Sequence, residues 1–127
     1  MNVPSELKYT DHDEWVLVDG DVVTIGITDY AQDALGELVH VELPGVGEQF
    51  TGGEVLCEVE SVKAVAEVYA PADGEVVEVN EALDGDEETV NDDPYGDGWL
   101  VRMRVGDPSQ LDDLLDATAY EERVAAS

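Results

Sequence analysis

Short runs of β-branched and other apolar residues recur along the chain and are separated by turn residues, which predicts an all-β fold. Asp19-Gly20 lies between two such runs and predicts a tight hairpin. Residues 54–60 alternate in polarity, which places Val55, Cys57 and Val59 on one face of a strand. The predicted strands cover residues 16–18, 22–27, 39–43, 54–60, 64–69, 76–79 and 99–105.

The predicted helices are few, short and peripheral to the strands. The helix over residues 28–35 begins at the cap Thr28-Asp29 and is closed by Gly36. Asp107-Pro108 has the cap-then-proline order that opens a second helix. Thr118 to Glu121 resembles a capping box for a final short helix. The apolar face of the second helix would consist of Leu111, Leu114 and Leu115.

The chain is expected to form one domain, because 127 residues fit a single core and no linker interrupts the pattern. We expect a β core over about residues 7–105 and a helical C-terminal segment over about 107–125. Gly20-Asp21-Val22-Val23 is similar to Gly74-Glu75-Val76-Val77. Such internal similarity is expected of a flattened barrel built from two related halves, although common strand residues also produce it by chance.

Negative charge is the unusual bulk property, with 32 acidic residues against 5 basic ones and a formal net charge of -27. Nucleic acids and anionic membrane surfaces would repel such a chain, so both are excluded as partners. Molar salt shortens the Debye length to about 3 Å and relieves the internal repulsion. The composition therefore indicates a salt-rich cytoplasm, as in halophilic archaea.

The remaining composition indicates a cytoplasmic protein without disulfides. Cys57 is the single cysteine, and its apolar strand context predicts a small buried hydrophobe rather than a nucleophile. Residues 1–15 show no targeting pattern, and no apolar run approaches membrane-spanning length.

Lys63 is the main candidate for chemistry. It lies between two β-like arms, at the predicted tip of a hairpin, and the only other lysine is Lys8. A lysine that is to be acylated must be reachable, and a rigid tip gives a long arm both exposure and a fixed pivot. The plainer interpretation is an exposed lysine paired with Glu58 or Glu60, which contributes little energy.

The surrounding residues favour the carrier interpretation. The spacing of glycine, proline and glutamate residues around Lys63 is similar to that of lipoyl and biotinyl carrier domains. In addition, nearly the whole chain resembles the H proteins of the glycine cleavage system. The carrier spacing comprises Gly47, Gly53, Glu60, Lys63, Pro71 and Gly74. The H-protein stretches are Glu14-Trp15, residues 24–28, Ala31-Gln32, Leu35-Gly36, residues 41–44, Glu60-Ser61-Val62-Lys63-Ala64, Gly74-Glu75-Val76 with Asn80, and Asn91 with Pro94-Tyr95-Gly96 and Gly98-Trp99.

This resemblance implies a flattened lipoyl-type β-barrel (a barrel-sandwich hybrid) with lipoate attached to Lys63. The flanks Val62 and Ala64 follow the H-protein form, whereas biotin carriers place methionine on both sides. The implied role is a monomeric, non-catalytic shuttle for the aminomethyl group of glycine. Its implied partners are a pyridoxal-phosphate glycine decarboxylase, a tetrahydrofolate-dependent aminomethyltransferase, a flavin- and NAD-dependent dihydrolipoamide dehydrogenase, and an enzyme that attaches lipoate.

A carboxylate near the loaded arm would stabilise its cationic amine. Glu14 matches the carboxylate of the family's Glu-Trp motif and is the candidate, against the alternative of a solvated glutamate where a strand begins. Asp13 stands where family members commonly have histidine, which puts a polar role for that side chain in doubt.

No metal site is expected. The acidic segment 81–93 lacks the turn glycine and closing glutamate of a calcium loop, so a solvated loop is the better interpretation. His12 and His40 lie far apart in the sequence, without the partners of a zinc site.

Three rival functions remain open at this point. Lys63 could form a Schiff base if its pKa were lowered, but the nearby Glu58 and Glu60 would raise the pKa of a lysine. A biotinyl carrier is the second rival. An H-like protein that relays lipoyl or octanoyl groups to other lipoyl domains is the third.

Overall fold

The computed structural model describes residues 2–126 and contains two antiparallel β-sheets. The larger sheet has six strands in the order β1-β2-β3-β9-β8-β5, and the smaller has the order β4-β6-β7. Together they confirm the predicted all-β, barrel-sandwich fold. The strands are β1 (Lys8–Tyr9), β2 (Glu14–Asp19), β3 (Val22–Ile27), β4 (Leu38–Glu42), β5 (Gln49–Phe50), β6 (Val55–Ser61), β7 (Val65–Tyr69), β8 (Gly74–Val79) and β9 (Val101–Val105).

The two sheets enclose one apolar core. Val16, Val23 and Ile25 of the larger sheet belong to the same buried cluster as Val59 and Val68 of the smaller sheet. Burial of these β-branched residues supplies the apolar contact that holds the sheets face to face. Because β6 and β7 form two of the three strands in the smaller sheet, this core also fixes the hairpin that carries Lys63.

Seven of the nine strands match the predicted ones, with ends shifted by two residues or fewer. The hairpin at Asp19-Gly20 is confirmed, and Gly20 has the positive φ, 65°, that such a turn requires. The two-residue strands β1 and β5 were not predicted, because two residues are too short to show periodicity. Strand β1 exists through its pairing with β2 and through a bridge from Tyr9 to Leu115.

The predicted alternation of β6 is wrong at its start. A register shift between Val55 and Cys57 opposite β7 turns Val55 outward, so that it is 38% exposed, while Leu56 and Cys57 are both buried. A bulge places two residues opposite one and thereby interrupts the two-residue period. Cys57 and Val59 face the core as predicted.

The helices are α1 (Asp29–Leu35), α2 (Thr89–Asp92) and α3 (Ala117–Ala125). The first is confirmed: Thr28 caps it by accepting from Ala31 N–H, and Gly36 ends it with a φ of 82°. The last begins earlier than predicted, since its cap is Asp116, whose side chain accepts from Ala119 N–H.

Two segments differ from their predicted structure. Residues 108–111 form only a 3-10 turn, and Leu115 pairs with Tyr9 instead of continuing a helix. The acidic segment 81–93 was expected to be a solvated loop. It contains a 3-10 turn and α2, because Leu83 and Val90 are buried in the core while the carboxylates between them stay outside.

The two similar strand openings lie on either side of β9. Val22 and Val23 of β3 pair with Arg104 and Met103, and Glu75 and Val76 of β8 pair with the same two residues from the opposite side. The two similar segments therefore flank one central strand with an offset of one residue, since Val22 pairs with Arg104 and its counterpart Val76 with Met103.

Trp15 joins three of the sequence stretches that carried the family resemblance. It pairs with Gly26 across β2 and β3, and its indole N–H donates to the Pro94 carbonyl at 2.8 Å. A β-carbon at Gly26 would lie 2.5 Å from the indole nitrogen, so only glycine leaves room for the ring. The ring of Tyr95 packs against Trp15 with a centroid distance of 6.1 Å.

We predict that Gly26→Ala lowers the free energy of unfolding by about 1–3 kcal/mol, because its methyl group would overlap the indole of Trp15. Urea unfolding at fixed high salt measures the change. Gly106→Ala is the matched control, since a β-carbon there meets no atom within 4 Å. Equal stability of the two variants would contradict the packing role of Gly26.

Candidate functional site

Lys63 lies at the tip of the β6–β7 hairpin, as predicted. Ser61 organises the turn: its N–H donates to the Ala64 carbonyl at 2.7 Å. Its buried hydroxyl oxygen accepts from the N–H groups of Lys63 and Ala64, at 3.2 and 3.0 Å. Glu60 pairs with Val65 just before the turn. These bonds satisfy the N–H groups of Ser61, Lys63 and Ala64 and leave the Lys63 side chain exposed between Val62 and Ala64, which are also exposed.

The tip is also fixed from outside the hairpin. Val62 N–H donates to the Glu37 carbonyl at 3.3 Å, which attaches the tip to the segment after α1. Asn91 holds that segment in place, because its amide donates to the Gly36 carbonyl and accepts from Leu38 N–H. A β-carbon at Gly36 would lie 3.5 Å from Lys63 Cε, an ordinary contact distance, so the lysine side chain lies against the end of α1.

The amine of Lys63 forms no ion pair within residues 2–126. The expected pairing with Glu58 or Glu60 is therefore absent from the described part of the chain. An exposed amine without a fixed partner is open to an acylating enzyme, and acylation would break no ion pair there.

A cleft of about 200 Å³ lies between α1 and β7. Lys63 does not line it, but Leu35 does, and the next residue, Gly36, lies against the Lys63 side chain. The polar lining comes from His12, Asp13, Tyr30 and Glu67. His12 and Asp13 lie toward the start of α1, which we call the polar end of the cleft, where Thr28 N–H bonds to the Asp13 carbonyl. The rest of the lining is apolar.

Glu14 is not a solvated glutamate, since it is only 1% exposed; it follows Asp13 of the cleft lining in the chain without lining the cleft itself. One carboxylate oxygen accepts from the Thr10 hydroxyl at 2.8 Å, and the other from Tyr69 N–H at 2.6 Å. Burial raises the pKa of Glu14 to about 7, although both hydrogen bonds favour the charged form. A cation that approached the polar end of the cleft would favour ionisation of the carboxyl.

Asp13 has the left-handed backbone conformation, with a φ of 64°, and its side chain is not free. Its carboxylate accepts from the Tyr120 hydroxyl at 2.9 Å. His12 packs against the ring of Tyr69 with a centroid distance of 4.4 Å. Glu67 and His12 were not predicted as cleft residues, because they come from separate segments, β7 and the turn before β2, that only the fold brings to one cleft.

Other candidate groups do not form a second site. Cys57 is buried, and burial raises the pKa of its thiol, so it is unsuited to act as a nucleophile. Within residues 2–126 no three histidine, cysteine or acidic side chains converge in a way that could hold a metal ion. Among the helices of that same range, none has the length and apolar composition needed to cross a membrane.

Comparison with known proteins agrees with this geometry. A family model described as glycine cleavage H-protein matches residues 7–127. A glycine cleavage system H protein of Chromohalobacter salexigens is 52% identical over 126 residues, covering 98% of this chain and 96% of the relative. The H protein of Halorhodospira halophila is 55% identical over 124 residues, covering 97% and 95%.

A solved structure shows the same fold. The crystal structure of a glycine cleavage system H protein from Mycobacterium marinum superposes with a TM-score of 0.89 at 41% identity, covering 97% of this chain and 99% of that one. The family match over nearly the whole chain confirms the resemblance seen in the sequence. The chain belongs to the glycine cleavage H-protein family.

Proposed function

We propose that Lys63 carries lipoate in amide linkage and that the chain shuttles the aminomethyl group of glycine within the glycine cleavage system. The observation that carries this proposal is an exposed lysine that forms no ion pair with residues 2–126, on a hairpin tip whose N–H groups are hydrogen-bonded, in a chain of this family. When attached, the lipoyl disulfide supplies the chemistry by accepting the aminomethyl group. The chain supplies a pivot and a shelter and is not itself a catalyst.

The proposed partners follow from this role. They are a lipoate-attaching enzyme, the pyridoxal-phosphate glycine decarboxylase, the tetrahydrofolate-dependent aminomethyltransferase and the FAD- and NAD-dependent dihydrolipoamide dehydrogenase. A covalent arm raises the effective concentration of its cargo at each of these, because the cargo cannot diffuse away. The family assignment favours lipoate over biotin as the group on Lys63.

The cleft has the polarity that a loaded arm requires. The arm is an apolar chain ending in a cationic amine, and the cleft lining combines apolar side chains such as Leu35 and Ala66 with the acidic Asp13 and Glu67. Helix α1 forms one wall, and its seven residues extend about 10 Å. We therefore place the loaded arm along α1, with its amine among the polar residues.

Glu14 is the proposed stabiliser of that amine. Without a cation nearby, burial keeps this carboxyl partly protonated near neutral pH. An ammonium group at the polar end would favour the ionised form of the Glu14 carboxyl. The hydrogen bonds from Thr10 and Tyr69 would hold the carboxylate in place. Burial also excludes water, which strengthens the attraction.

The attachment site can be tested by the intact mass of protein purified from its native host. We expect an increment of one lipoyl group in the parent protein and in Lys8→Arg, and none in Lys63→Arg, because arginine cannot form the amide. Lys8 is the only other lysine and is likewise exposed. An increment that persists in Lys63→Arg, or one with the mass of biotin, would falsify the proposal.

The role of Glu14 can be tested by the stability of the loaded arm. We predict that Glu14→Gln releases ammonia from isolated loaded protein about tenfold faster, because the amine loses a charged partner. The isosteric amide still accepts from Tyr69 N–H. Glu42→Gln, an exposed glutamate on β4, is the matched control and should release ammonia at the parent rate. An unchanged rate in Glu14→Gln removes this residue from the proposal.

Burial of Glu14 also makes stability depend on pH. The folded state raises the pKa from 4.5 to about 7, so it binds the proton more tightly than the unfolded chain. This carboxyl therefore lowers stability as the pH rises from 4.5 to about 7.

We predict that the free energy of unfolding of Glu14→Gln rises by about 3 kcal/mol relative to that of the parent protein as the pH is raised from about 4 to about 8. Urea unfolding of both proteins at fixed high salt measures this difference, in which the titration of the shared carboxylates cancels. Identical pH profiles would show that Glu14 titrates in the fold as it does in the unfolded chain.

A further inference from the structure

The buried hydroxyl of Tyr120 connects three separate parts of the fold. Tyr120 lies on α3 and is fully buried. Its single proton is donated to the Asp13 carboxylate at 2.9 Å, so its oxygen accepts from the Thr28 hydroxyl at 2.7 Å. Thr28 in turn accepts from Ala31 N–H as the cap of α1. The C-terminal helix is thereby linked to both the polar end and the helical wall of the cleft.

This connection matters because α1 is held only weakly by apolar packing. No residue of α1 is fully buried, and only Ala31 and Leu35 pack partly against the core. At its C-terminal end the helix is fixed by Asn91, which bonds to Gly36 and to Gln32. Its position over β7 therefore depends on polar contacts at its two ends.

The start of α1 is fixed in part through residues in contact with Tyr120. Thr28 N–H donates to the Asp13 carbonyl at 3.0 Å, so the helix start and the polar end of the cleft move together. Asp29 adds two contacts, since its N–H donates to the Tyr95 hydroxyl at 2.9 Å and its carboxylate accepts from Asn2 N–H at 2.8 Å. Of these groups, only the Tyr120 hydroxyl bonds to the side chains of both Asp13 and Thr28.

We propose that Tyr120 is a positioning residue for the loaded arm: through Asp13 and Thr28, the C-terminal helix sets the wall of the cleft that shelters the arm. This inference rests on the proposed function, because it assigns the cleft to the loaded arm. Loss of the hydroxyl leaves the Asp13 carboxylate without its donor and the Thr28 hydroxyl without its acceptor. The wall then loosens, and water reaches the arm more easily.

Tyr9 supplies a matched control within the same aromatic stack. Its ring stacks on that of Tyr120 with a centroid distance of 4.7 Å, and it is equally buried. Its hydroxyl, however, donates to the Pro4 carbonyl at 2.6 Å and has no contact with the cleft. Tyr9→Phe and Tyr120→Phe therefore each remove one buried hydroxyl, and only the second lies on the path to the cleft wall.

The first experiment uses the unmodified protein and measures hydrogen exchange of backbone amides by NMR. We expect Tyr120→Phe to speed exchange at Thr28 and Ala31 roughly five- to thirtyfold, the effect of losing one or both of the buried hydrogen bonds to Thr28 and Asp13, while amides of β6 remain unchanged. Tyr9→Phe should leave Thr28 and Ala31 at the parent rate. Asp13→Asn should also stay near that rate, since its amide oxygen still accepts from Tyr120 and asparagine tolerates the left-handed backbone.

The second experiment measures ammonia release from isolated loaded protein, with unfolding midpoints recorded for every variant. We expect faster release from Tyr120→Phe than from Tyr9→Phe at similar global stability. Equal release, or exchange that rises equally in both variants, would overturn the positioning role and leave the lipoyl assignment intact. Failure of the parent protein to acquire lipoate at Lys63 would instead reject the proposed function, and the exchange results would still report whether Tyr120 holds the wall.

Discussion

Apolar packing of the three-stranded sheet on the six-stranded sheet is the contact on which the rest of the structure depends. A net charge of -27 drives the chain apart, and the core that opposes this repulsion is built largely from β-branched residues such as Val16, Ile25 and Val59. The same contact fixes the β6–β7 hairpin, since its two strands belong to the smaller sheet. The pivot of the proposed arm is therefore as rigid as the core itself.

The two walls of the cleft are held by different forces. Strand β7 is part of a sheet ladder, whereas α1 has no fully buried residue and depends on Asn91 at one end and on Thr28 with Tyr120 at the other. A wall held by a few polar contacts can move without disturbing the core. This difference suits a carrier, whose cargo must be sheltered between enzymes and released at each of them.

Glu14 shows how one carboxylate differs from the many others in this acidic chain. The exposed carboxylates keep their charge in solvent, while Glu14 loses solvent and retains only the Thr10 and Tyr69 donors. Its raised pKa reflects that loss, which lowers stability near neutral pH. A cationic amine at the polar end of the cleft would offset the penalty, which is the role proposed for Glu14.

The sequence alone determined seven of the nine strands in the described part of the chain, the α1 cap at Thr28 and the hairpin around Lys63, because periodicity and turn chemistry are local properties. The resemblance to the family was also visible in the sequence, because Glu14-Trp15 and the other H-protein stretches are local features of the chain. Only the tertiary structure decided that Val55 turns outward, that Leu115 joins β1, and that Asp13 and Glu67 share a cleft. These outcomes depend on pairing between distant segments, and the burial of Glu14 likewise follows from what packs above it rather than from its neighbours in the chain.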